Sequence, residues 1–185
     1  MLQALLAERF ALRVHRSTRQ GQVHALVVAR PDGRFGPSLR RTSAACAAEM
    51  EAVRRALQEA RAAPLPNPGG PLCGGGYEKR GVRPSDVTAV NYGVPIAKIV
   101  DDVVRELNAP VVDRTGLTGW FDYTLEFETS RLLPQTLGAP TIESTEPPRP
   151  PLRYALEQQL GLKLQTTTGA IPIVVIDAVQ RPTPD

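Results

Sequence analysis

Few side chains in this 185-residue chain carry reactive chemistry, and their spacing limits what they can do. His15 and His24 are its two histidines, within the apolar-alternating runs 12–17 and 22–29. These runs are expected to pair as a hairpin about Arg19-Gln20-Gly21, with Gly in the left-handed position. That loop sets His15 opposite Ala25, so the imidazoles do not face each other as metal ligation requires. The stretch Asp113-Arg-Thr-Gly-Leu-Thr-Gly119 offers Asp113 as a base with Thr115 or Thr118 as its partner, and Arg114 interrupts what would otherwise be an aspartic-protease triplet. The same residues suit a demanding turn, because Asp accepts bonds from amides two residues on and Gly tolerates positive φ. A hydrolase reading would join Asp113 to Asp122 or Glu126, yet both project from the wet face of an alternating run. Asp101 and Asp102 are adjacent on a helix and point in different directions, so they are expected to be solvated. Gly74-Gly75-Gly76 lacks the Lys-Ser/Thr ending and the preceding strand of a phosphate loop. No cofactor and no metal follow from these patterns, and no residue is assigned a catalytic role.

Cys46 and Cys73 are the only cysteines, one on an expected helix and one in the Pro/Gly-rich run 64–76. They are expected to form a disulfide that staples this excursion to the helix, which requires an oxidising compartment. Two free thiols are the alternative.

The elements that must position these residues are legible as periodicities. Leu2, Leu5, Leu6 and Phe10 share a helical face. Thr42 or Ser43 caps a helix running to about Ala62, with Cys46, Met50, Val53 and Leu57 at helical spacing. A strand over 87–92 precedes Pro95, which suits the first turn of a helix running to Leu107. Val111-Val112 and the alternating Phe121, Tyr123, Leu125 and Phe127 are expected to form a central hairpin. A loose stretch over 130–151 ends Glu146-Pro-Pro-Arg-Pro-Pro151, a stiff linker or a ligand for an aromatic groove. A helix over 152–160 stops at Gly161, and 162–166 with 171–179 forms a last hairpin guarded by Pro172.

Residues 1–83 hold 14 Lys/Arg against 6 Asp/Glu, and residues 84–185 hold 8 against 13. The basic residues are not interleaved with aromatics, which argues against single-stranded nucleic acid. No apolar run reaches the roughly 18 residues of a membrane span, and no signal peptide is present in this chain.

Residues 2–29 and 152–179 repeat at an offset of 150: Leu2, Leu6, Phe10, Leu12, Arg13 and Val14 align with Leu152, Leu156, Leu160, Leu162, Lys163 and Leu164. The second strands align with a turn two residues shorter. The fold class is therefore α+β, small sheets packed by helices. Residues 1–41 form a partial α-β-β module and 42–83 a helix with a Pro/Gly-rich insertion. Residues 84–185 form a β-α-β-β-α-β-β module with the Pro-rich loop 130–151. The N-terminal module lacks its first half, which suggests a homodimer through an incomplete sheet.

The runs Met1–Arg16, Val111–Glu126, Leu160–Lys163 and Val174–Pro182 resemble an uncharacterised, soil-associated bacterial family, classed as a domain of unknown function. The resemblance implies export, fusion of some members to BlaR-type sensor peptidases, and a start upstream of Met1 with a signal peptide and the missing half-module. A periplasmic or extracellular full-length protein is thus expected. The order β-α-β-β-α-β-β is also similar to the short N-terminal domain of secretins and TonB-dependent receptors, an interaction module. The leading expectation is a non-catalytic envelope domain that contacts a protein or an envelope polymer. An envelope hydrolase and a sensory domain acting with a partner peptidase are the alternatives.

Overall fold

The computed structural model describes residues 2–59, 73–129 and 147–181. The Pro-rich excursion 64–72, the helix end at Ala62 and most of the loose stretch, 130–146, lie outside these. The chain is α+β: α1 (Leu2–Phe10), β1 (Arg13–Val28), β2 (Leu39–Arg41), α2 (Ala44–Gln58), β3 (Gly75–Arg80), β4 (Asp86–Pro95), α3 (Ile96–Leu107), β5 (Val111–Asp113), β6 (Trp120–Glu128), α4 (Leu152–Ala155, continued as a π turn over Leu156–Leu160) and β7 (Leu162–Ala178). One sheet has the order β5-β1-β7 and the other β2-β6-β4-β3. Two compact units result, Met1–Val23 with Thr166–Asp185, and His24–Gln165.

In the larger unit, the period-two face of β6 buries Phe121, Tyr123, Leu125 and Phe127. α3 adds Ile96, Ile99 and Val103, and the α4–π segment adds Leu152, Ala155, Leu156 and Leu160. Pro95 caps α3 at its start, and Asn108, at φ 49°, ends it in the left-handed conformation. Gly161, at φ 70°, stops the π turn as its position in the sequence implies. At the start of α2 the Ser43 side chain accepts from the Cys46 amide. Cys46 is disulfide-bonded to Cys73 with their Cα atoms 5.7 Å apart, and Met50, Val53 and Trp120 pack around the bridge. Over 147–151 the Pro-rich ending is not a free linker, although Pro147, Pro148 and Pro151 are exposed. Arg149 docks it by donating to the Val87 carbonyl at 3.0 Å and the Thr88 hydroxyl at 2.8 Å, while the Glu128 amide donates to Pro150.

Three expected hairpins are corrected. β1 and β7 run straight through the positions where turns were expected, at 19–21 and 167–170. The glycines there have a different purpose. A Cβ on Gly21 would lie 2.7 Å from the Ile171 side chain, and one on Gly169 would lie 2.9 Å from that of Val23. Each glycine makes room for a branched side chain across the strand pair. The contacts Gly21–Ile171 and Val23–Gly169, with His15 Nδ1 2.8 Å from Asp177, rise along β1 as they fall along β7, so in this unit the two strands are antiparallel. The central stretch is not a hairpin either. β5 pairs parallel to β1, with His24 opposite Val111 and Leu26 opposite Asp113, whereas β6 pairs antiparallel to β4 and β2 in the other sheet. The segment 114–119 therefore joins two sheets.

Candidate functional site

The loop that begins at Asp113 is closed upon itself. Asp113 Oδ1 accepts from the Thr115 amide at 2.8 Å and its hydroxyl at 2.7 Å, and Thr115 Oγ1 accepts from the Leu117 amide at 3.1 Å. The Arg114 amide donates to the Leu26 carbonyl, and the Thr118 carbonyl accepts from Arg41, whose guanidinium lies 4.7 Å from the Phe121 ring centre. These are the bonds of a turn that fixes its own backbone. Asp122 and Glu126 have partners elsewhere. Asp122 accepts from the Gly93 amide at 2.9 Å and from Arg40 at 3.3 Å, and Glu126 lies 3.3 Å from Arg149.

A cluster missed at the sequence level lies on α3. Asp102 is not simply solvated: it accepts from Lys98 at 2.6 Å, Arg105 at 2.7 Å and the Tyr123 hydroxyl at 2.6 Å. Burial, the adjacent Asp102 charge and this bond hold the Tyr123 phenol protonated well above its usual range. The group borders a cavity of about 230 Å³ over Ile99, Val103, Leu125 and Phe127. Asp102 is engaged by all three partners, and a phenol that donates to a carboxylate is not free to act as a base. The signal was present in the i,i+4 and i,i+3 spacing of Lys98, Asp102 and Arg105; the approach of Tyr123 from β6 was not.

The smaller unit shows the opposite condition, apolar surface left uncovered. β7 is the outer strand of its sheet. Val174 and Ile176 on it are 66% and 62% exposed, and Val179 just beyond is 62% exposed. Leu5 on α1 and Val14 on β1 are exposed too, and among the described residues Val23 is the one fully buried apolar side chain of this unit. α1 is held by a bond from the Gln180 amide to the Phe10 carbonyl, 2.7 Å. Edge strands of monomers are usually blunted by charge, proline or brevity, because a bare apolar edge pairs with other chains. Here Pro172 and Asp177 flank an undefended Ile173-Val-Val-Ile176.

The fold and this edge define an α+β domain with one well-packed unit and one that exposes a strand. The chain belongs to a protein family of unknown function, DUF3738, whose family model matches residues 1–179. No curated protein and no solved structure matches it significantly.

Proposed function

We propose that this chain is a non-catalytic interaction domain which takes a strand from a protein partner along the outer edge of β7. The observation that carries this reading is the exposure of Val174 and Ile176 on an edge strand. Strand addition obtains affinity from backbone hydrogen bonds and specificity from alternate side chains. A proline inside a strand costs no ladder bond only when its nitrogen faces the open side, so Pro172 orients the outer edge. Val174 and Ile176, two and four residues on, direct their amides the same way. The disulfide supports an oxidising compartment such as the cell envelope, in keeping with the resemblance to exported proteins and to the secretin and TonB interaction domain.

The test uses a synthetic peptide of residues 108–116, the strand that this chain itself adds to β1. Titrated into isotope-labelled protein, it is expected to slow amide exchange at Val174 and Ile176, and the Val174→Lys/Ile176→Lys variant is expected to lose that response while keeping its fold. Absence of saturable change up to millimolar peptide overturns the proposal.

A further inference from the structure

The cavity of the larger unit has a floor that its strands set row by row. β6, β4 and β3 pair antiparallel, so directly opposed residues share a face. Tyr123, Asn91 and Gly76 form one row, and Leu125, Ala89 and Glu78 form the next. Side-chain size falls along the first row from phenol to carboxamide to hydrogen, and in the second it drops to a methyl at Ala89. Ile99 and Val103 of α3 share the core with Tyr123 and Leu125 at the β6 end of these rows. The space left beside them, bordered by Ala89, Asn91 and Gly76, is the cavity of about 230 Å³. It reaches solvent at β3, where Gly76 and Glu78 are exposed.

Asn91 is the polar residue of this floor. It is only 6% exposed, and its side chain makes no hydrogen bond to another described residue. Its Oδ1 lies across Gly76, where a Cβ would meet it at 2.3 Å, so glycine is what admits the amide. A buried carboxamide without a partner is costly, and a bound group that supplies the missing bonds offsets that cost. The ionisable groups of the lining are already engaged. Lys98, Arg105 and the Tyr123 hydroxyl hold Asp102, Glu78 lies 2.8 Å from Arg80, and Glu106 accepts from Thr129. The unspent buried group is therefore a neutral amide. The volume of about 230 Å³ falls below the roughly 300–1,000 Å³ of pockets for drug-sized ligands, so the matching molecule is smaller than those.

We propose that this cavity binds a small uncharged molecule in which an apolar body carries a primary carboxamide or lactam group. The ligand carbonyl accepts from Asn91 Nδ2 and the ligand N–H donates to Asn91 Oδ1, while the body lies over Ala89 against Ile99, Val103 and Leu125. A primary amide or a lactam presents N–H and C=O on one edge, as the Asn91 side chain does. A trans peptide bond points the two in opposite directions and makes one of the bonds only. The site therefore selects against ordinary peptide, which makes it independent of strand addition at β7.

The probe is ε-caprolactam, titrated into the isotope-labelled full chain while NMR follows the Asn91 side-chain amide and the methyl groups of Ile99, Val103 and Leu125. Saturable shifts are expected, with a dissociation constant of about 1 mM for so small a ligand. N-methyl-ε-caprolactam has the same ring and no N–H, and is expected to bind about fivefold more weakly for the lost hydrogen bond. Asn91→Leu is expected to remove the preference between the two lactams, and Ala89→Leu, which fills the floor, to abolish the binding of both. No saturable shift with ε-caprolactam up to about 50 mM overturns the proposal and leaves a cavity that holds water only. Equal binding of the two lactams to the unaltered protein overturns it as well, because the cavity would then be an apolar space that does not use Asn91. That comparison needs no variant, so it decides the matter even where a substitution prevents folding.

Discussion

Leu6 and Leu156 are the same residue at equivalent repeat positions, and truncating each to alanine measures how well each unit packs it. Leu156 has no exposed surface and lies in the main core with Leu26, Phe121, Leu125 and Leu160. Removing its three outer carbons forfeits their transfer energy and leaves a cavity lined by rigid neighbours. The span for such sites is about 2.7–5.0 kcal/mol, and full burial places Leu156→Ala at about 3–4 kcal/mol. Leu6 is only partly buried, in a unit whose one fully buried apolar residue, among those described, is Val23. Its neighbours lose few contacts and water already reaches the site, so Leu6→Ala is expected to cost less than about 1 kcal/mol. In a chain of this size each kcal/mol moves Tm by about 2–4 °C. The expected losses are thus about 6–16 °C against no more than about 4 °C. Urea unfolding followed by Trp120 fluorescence and by circular dichroism gives the free energies. Equal costs at the two positions would refute the claim that the smaller unit leaves apolar surface uncovered, because Leu6 would then be buried by something already in the protein.

Two further outcomes are expected. The disulfide closes a separation of 27 residues, for which chain entropy gives about 3.5 kcal/mol, so Cys46→Ser/Cys73→Ser should lower the urea midpoint accordingly and abolish the sensitivity of the protein to reductant. His24 is held below its ordinary 6.5 by desolvation and then by the charge of Arg153. Its folded form resists protonation more than the unfolded chain does, so its contribution to stability is intact above pH 6.5 and is lost as pH falls below that value. The urea midpoint should fall between pH 7 and 5, and His24→Gln should flatten that part of the profile. An unchanged profile in the variant would count against the assignment.

The sequence by itself determined the elements whose signals are local. Ser43 caps α2 because a hydroxyl can satisfy a free helix amide. Gly161 ends the π turn because only glycine enters the left-handed region cheaply. The alternation of Phe121, Tyr123, Leu125 and Phe127 assigns the buried face of β6, and Asp113 with Thr115 closes a turn whose bonds span only a few residues. The repeat likewise lies open in the order of residues. Partnership across the chain was decided only in the tertiary structure. A glycine between two apolar runs has the composition of a turn, and nothing local distinguishes that from a glycine beneath a branched side chain on another strand, as Gly21 lies beneath Ile171. Periodicity gives Val111-Val112 a strand but not a neighbour, and the neighbour is β1, roughly ninety residues away. Asp102 reads as a solvated helix carboxylate until β6 carries Tyr123 to it. Each of these depends on free energy shared between distant segments, which the residues of either segment alone do not encode.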